Sequence, residues 1–325
     1  MSADRARASG VGSMPGTDFA GSLRVVLDEL PDLPHLPELP GRGVGAEMTG
    51  RALALVAELG ADLQPAGWRL TGGGSGVDQR RARSLLAQDL DVFEEHLQEW
   101  EGPVKVQVAG PWTLAATVER PRGDKVLADH GARRDLAQAL AEGLRGHVAD
   151  LRRRLPGSEL TVQVDEPALP AVLAARVPTA SGFGRHRTVH PPAAEAALAD
   201  VFNAVREGGA TPAVHCCASD VPVALLVAAG ATAVSVDLTA IAASGFDPLA
   251  ELVEQGGTAY LGVVDPLDPV SGTEKVLRFL DMVGLDPDEV AARLVVTPTC
   301  GLAGADPDGA RTALRRSRET AAALS

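Results

Sequence analysis

Seven short apolar runs alternate along the chain with longer stretches whose apolar positions recur every three or four residues. The short runs are GVGSMP (10–15), VKVQVAGP (104–111), LTVQVDEP (160–167), TPAVHCC (211–217), TAVSVDL (232–238), TAYLGVVD (258–265) and LVVTPTCG (294–301). The helical patterns cover 133–155, 192–207, 221–229, 248–255, 272–283 and 287–293. Strands that alternate with helices pair in parallel through right-handed crossovers, and both faces of such a sheet are covered. About eight units of this kind close into a (β/α)8 TIM barrel. The pattern therefore predicts an α/β barrel with one strand hidden, placed here near residues 62–68. Two segments interrupt the rhythm. PDLPHLPELPGRG (31–43) predicts a Pro-rich loop over the barrel, and TGGGSG (71–76) predicts a Gly-rich loop. No Gly-Lys-Ser/Thr follows those glycines, so they do not form a phosphate-binding loop. No repeat or linker divides the chain, and residues 1–325 read as a single catalytic domain.

Polar residues gather at the ends of the apolar runs. Ser13, Asp165, His215, Cys217, Asp237, Asp265 and Cys300 all fall there. In a barrel the C-terminal strand ends meet at one face, where active sites are built. Residues two apart on a strand point the same way. His215 and Cys217 can thus serve one ion, while Cys216 points outward into the helix layer as a structural residue. With Cys300 they form a soft ligand set that suits zinc, and three protein ligands leave a fourth position open for chemistry. The competing reading is buried cysteines acting as small hydrophobes beside an unrelated histidine.

Composition narrows the classes. The chain has 325 residues, of which 45% are hydrophobic and only 3% aromatic, so its core is built from small and branched aliphatics. A net charge of −13 argues against nucleic acid as a partner. Arg152, Arg153 and Arg154 read as the solvated end of a helix. Three cysteines, two of them adjacent, are no disulfide framework and imply a reducing compartment. The opening MSADRARASG lacks the apolar segment of a secretory signal, and no apolar stretch is long enough for a membrane span. The expectation is a cytoplasmic enzyme acting on small substrates.

Five strings, VGSMPGT (11–17), AGPWT (109–113), QVDEPAL (163–169), HCC (215–217) and TPTCGL (297–302), occur in this order. Together they make the chain resemble the C-terminal, catalytic half of cobalamin-independent methionine synthase, from about residue 10 to residue 302. The resemblance implies a barrel of the uroporphyrinogen decarboxylase and methionine synthase type. It also implies a zinc-dependent methyltransferase that converts homocysteine to methionine. Carried over by position, His215, Cys217 and Cys300 match zinc ligands. Asp237 stands where the family has a fourth ligand, a Glu, and is one methylene shorter. Asp165 matches the acid that holds the amino group of homocysteine, and Glu47 falls about where a second such acid lies. Ser13, with the backbone at Val11, matches the turn that grips the carboxylate. Glu166 reads as a capping or salt-bridged residue.

Two departures concern the methyl donor. A His that serves the family as general acid is replaced by the string Asp265-Pro266-Leu267, and a Trp that stacks on folate by Thr117. His186 or His190 could supply the missing acid. The donor is accordingly left open between 5-methyltetrahydrofolate and a corrinoid protein. Two other readings stay open: a zinc alkyltransferase for another thiol, and a non-enzymatic thiol sensor or zinc-binding protein. The amino-acid grip discriminates among them, since Ser13, Asp165 and Glu47 should meet beside the metal.

Overall fold

The computed structural model describes residues 5–56, 58–265 and 271–324. Nine strands are present among these residues: β1 (Arg7–Ala8), β2 (Ala61–Gln64), β3 (Gly67–Leu70), β4 (Val104–Ala109), β5 (Leu160–Asp165), β6 (Thr211–Cys216), β7 (Ala233–Asp237), β8 (Thr258–Val264) and β9 (Leu294–Pro298). Seven of them form one parallel sheet in the order β1-β9-β8-β7-β6-β5-β4, with helices in the crossovers. This is the predicted (β/α)8 barrel. Val104, Val106, Val108, Val162 and Val164 are buried and belong to one large aliphatic core. Between them, Lys105, Gln107, Gln163 and Asp165 take the alternate positions and turn to the barrel axis.

The eighth stave is not at residues 62–68. Asp62 and Trp68 lie in a separate antiparallel hairpin, β2 with β3. The intervening Pro65-Ala66 is a turn, and Gly67 opens β3 at φ 125°, so the stretch folds back on itself as a two-stranded hairpin. The ring is closed instead inside the Pro-rich segment. Leu36 N donates to Lys105 O (2.8 Å) and Lys105 N to Pro34 O (2.9 Å). On the other side Glu38 N donates to Gly12 O (3.1 Å) and Met14 N to Glu38 O (2.8 Å). Proline has no N–H and sits badly in a ladder. Pro34 and Pro37 interrupt the donors of this stave, leaving Leu36 N and Glu38 N to make its ladder bonds, and this hides the strand pattern. The first run also shifts: its ladder strand is Arg7–Ala8, and 10–15 forms the turn that follows.

Glu166 shows how the strand ends are locked. It is fully buried just after β5, and burial raises its carboxyl to about 7. Its Oε1 accepts from Trp112 N (2.9 Å), and its Oε2 from Thr113 N (2.7 Å) and Thr113 Oγ1 (2.8 Å). These are the orphan donors at the start of the helix Pro111–Thr117, so one carboxylate caps a helix from a neighbouring strand. A Cβ on Gly110 would lie 2.4 Å from Glu166 Oε1, so only glycine admits that approach. Glu166→Ala is expected to cost about 2–4 kcal/mol, because three buried donors lose their acceptor; urea unfolding measures it. Among the described residues, no helix is long and apolar enough to cross a membrane.

Candidate metal and substrate site

The parallel register sets Asp165 beside His215, and His215 beside Ser235. Cys217 follows β6 directly, and Cys300 lies two residues beyond β9. The barrel curls these ends together. The ligand atoms of His215, Cys217 and Cys300 all lie within 4.8 Å of one another, forming a group that could hold a metal ion. The two Sγ atoms are 3.3 Å apart; two thiolates on a tetrahedral zinc lie about 3.8 Å apart, so a small spread admits the ion. His215 Nδ1 is 2.9 Å from Ser235 Oγ, which orients the ring and leaves Nε2 for the metal. His215 is buried, Cys217 half-buried and Cys300 exposed, so the group is open on one side. The S–H of Cys217 and the nearby His215 hold the Cys300 thiol down at about 4, while the same hydrogen bond raises Cys217. Cys216 is wholly enclosed by the aliphatic core, and burial pushes its thiol up to about 12, as its outward position requires.

A cavity of about 430 Å³ opens over this group. Val11, Ser13, Glu47 and Asp165 line it together with His215, Cys217 and Cys300. Asp165 is buried at its floor; burial raises its carboxyl to about 7, and its Oδ1 accepts from Gln163 Nε2 at 2.7 Å. Glu47 is exposed at the rim, where it precedes the helix Met48–Leu55. Ser13 is half-buried and meets the other wall: a Cβ on Gly301 would fall 2.1 Å from Ser13 Oγ, so the two loops touch only because residue 301 is glycine. The carbonyl of Val11 turns inward and accepts from Lys105 Nζ and Gln163 Nε2, each at 2.9 Å.

Other candidates lie elsewhere. Asp237 does not belong to the metal-capable group: its Oδ1 accepts from Thr239 N (2.9 Å) and Thr239 Oγ1 (2.6 Å), closing the turn after β7. His186 is buried outside the cavity, with Nε2 3.2 Å from Asp124 Oδ1. His190 is exposed at the start of the helix Pro191–Glu207. Thr117 reaches the rim, its Oγ1 3.5 Å from that of Thr49, which lines the cavity. Pro266 and Leu267 lie outside the described residues.

Sequence reasoning missed two groups. Glu38 is buried, lines the cavity and accepts from Arg51 Nε at 3.0 Å; Arg51 also pairs with Asp89 at 2.9 Å. Its signal is masked because the prolines of LPELP (36–40) give that stretch the pattern of a loop. Lys105 is buried beneath the cavity, and its signal was visible as a charge set inside the apolar run VKVQVAG.

Residues 87–323 match the family model described as the catalytic domain of cobalamin-independent synthase. Among solved structures, the chain is similar to a B12-independent methionine synthase from Shewanella sp. W3-18-1 in complex with selenomethionine. The two are 13% identical, the match covers 98% of each chain, and the TM-score is 0.62. A second similarity is to the catalytic domain of a family-26 endo-β-1,4-mannanase from Bacillus sp. JAMB-750, at 13% identity over 98% of this chain and 93% of that one, with a TM-score of 0.41. A third is to 3-keto-D-glucoside 4-epimerase from E. coli, at 11% identity over 74% and 85%, with a TM-score of 0.39. The last two are too distant in geometry to inform the chemistry. No curated protein matches the chain.

Proposed function

Because the chain belongs to the cobalamin-independent synthase catalytic-domain family, we propose that it transfers a methyl group to the thiol of homocysteine, forming methionine. The observation that carries the reading is the meeting, in one cavity, of a His/Cys/Cys group with the carboxylate of Asp165 and the hydroxyl of Ser13. His215, Cys217 and Cys300 would hold zinc, which when bound lowers the pKa of a substrate thiol so that it stands as thiolate near neutral pH. Asp237 is proposed to act by shaping the adjacent turn, since its carboxylate is held by Thr239.

The protein's own groups hold the acceptor. Asp165, ionised, faces the ammonium of the amino acid, with Glu38 and Glu47 adding negative charge around it. Ser13 donates its hydroxyl to the carboxylate. Held this way, the sulfur attacks the methyl carbon in line. A sulfur–carbon bond forms as the donor's bond to that carbon breaks, and the product is a neutral thioether.

The donor's leaving group sets a further condition. A methyl bound to a folate nitrogen leaves well only if that nitrogen is protonated. Among the described residues, His215 is the one imidazole lining the cavity, and it belongs to the metal group. This favours a methyl-corrinoid donor, whose departure needs no proton. The test is an assay of the purified zinc-loaded protein with L-homocysteine and three donors in parallel: methylcobalamin, monoglutamyl methyltetrahydrofolate and its polyglutamyl form. Methionine from methylcobalamin alone is expected. Methionine from a folate would reverse the donor assignment, and turnover of a different thiol in preference to homocysteine would overturn the acceptor.

A further inference from the structure

The second residue of β4 is a lysine turned to the barrel axis. Lys105 is fully buried, and its Nζ donates to Val11 O (2.9 Å), Gln163 Oε1 (2.8 Å) and Gln107 Oε1 (3.3 Å). An ammonium group donates and never accepts. Both glutamines must therefore turn their carbonyl oxygens toward it, which sends their NH2 groups the other way. The NH2 of Gln163 reaches Asp165 Oδ1 at 2.7 Å and Val11 O at 2.9 Å. The NH2 of Gln107 reaches Leu36 O, on the stave that carries Glu38. One cation thus fixes the direction of two amides, which reach Val11 and Asp165 of the cavity lining and the stave that carries Glu38.

Such a lysine is expensive to bury, and a leucine or methionine would fill its volume without the desolvation penalty. Burial does pull it down, to about 8, but the neighbouring Asp165 and Glu38 oppose the fall, and the three oxygens around Nζ suit an ammonium. Mere strand cohesion does not explain a charge here. Orientation of the acceptors does: with Oδ1 of Asp165 engaged by Gln163, Oδ2 is left for a cavity ligand.

We propose that Lys105 is a positioning residue for the amino-acid grip, acting through Gln163 on the carboxylate of Asp165 and through the Val11 carbonyl on the turn that bears Ser13. The choice of an amino acid as ligand rests on the function proposed above; the orientation of the two amides does not.

The experiment compares the zinc-loaded wild type with Lys105→Met and Gln163→Leu. The probes are L-methionine, followed by calorimetry, and 2-mercaptoethanol, a thiol with no amino-acid group. Both variants are expected to keep the wild-type metal content and the wild-type affinity for 2-mercaptoethanol. L-Methionine should bind about ten- to hundredfold more weakly to each. The double variant should be no worse than either single one, as for groups acting in series. Unchanged L-methionine affinity in a folded variant, or equal weakening of both probes, overturns the proposal; where Lys105→Met does not fold, Gln163→Leu alone decides it. A wild type that binds no amino acid would instead defeat the functional reading. Lys105 is then judged by hydrogen exchange of the Gln163 side-chain amide in NMR spectra, which should be at least about tenfold faster in Lys105→Met. An unchanged rate overturns the proposal whatever the substrate.

Discussion

Cys217→Ser and Cys300→Ser are each expected to strip the protein of its metal. The wild type should purify with one zinc per chain, and each variant with almost none. The argument is chemical. A serine hydroxyl stays protonated at neutral pH and is a poor match for zinc, whereas a thiolate is a matched ligand. The site has three protein ligands within reach and no fourth among the described residues, so losing one leaves two. Changes in groups that merely orient a ligand cost about ten- to hundredfold in metal affinity; loss of a ligand should exceed that range. Cys216→Ser is the control, because that thiol lies in the aliphatic core and away from the metal group. It should leave the metal content alone and instead lower stability. Metal analysis after dialysis against a weak chelator separates the three variants. Full zinc retention by Cys300→Ser would remove the proposed site.

Asp165→Asn should have the second large effect, on the amino acid and not on the metal. Burial holds the empty-pocket carboxyl at about 7, against the pull of His215 and Lys105. An ammonium ligand adds an opposite charge and lowers it, so binding below pH 7 expels a proton from Asp165. Affinity for L-methionine, which has no thiol proton to confuse the measurement, should therefore rise about tenfold per pH unit up to about 7 and stay level above it. The asparagine variant should show a flat profile at about a hundredfold lower affinity, since truncating one side of a buried charge pair costs about 2–5 kcal/mol. Calorimetry between pH 5.5 and 8 decides it. A wild-type profile that is flat, or that falls as pH rises, would separate Asp165 from the ammonium.

The barrel and most of its face were legible because parallel strands announce themselves twice. Their Val-rich period-two runs mark the ladders, and the polar residues gathered at the end of each run mark the open face. Asp165, His215, Cys217 and Cys300 follow that rule, and the fold brings them together. Where a strand abandons the pattern, reading fails. Pro34 and Pro37 remove ladder donors from the eighth stave, so the chain looks like a loop there and Glu38 goes unseen. Conversely, Leu63 and Trp68 satisfy the alternation and pair with each other instead of the barrel. Asp237 shows a different limit. Its place at the end of β7 is as expected, but its short side chain stays within reach of its own turn, and Thr239 takes it. Local hydrogen bonds of that kind compete with any distant partner, and a strand pattern does not report them.

The proline-bearing stave also makes the barrel mechanically uneven. From β4 to β9 the ladders run four to six residue pairs, while here two pairs of hydrogen bonds hold 34–38 between β4 and the turn after β1. Breathing of the barrel will concentrate at short joints such as this seam, where few bonds must break. Glu38 belongs to the seam and to the cavity alike. A guest lodged between Glu38 and Asp165 therefore bridges a thinly held joint, acting as a clasp. Occupancy and rigidity rise together, and the empty protein is the one most ready to open and let the next guest in.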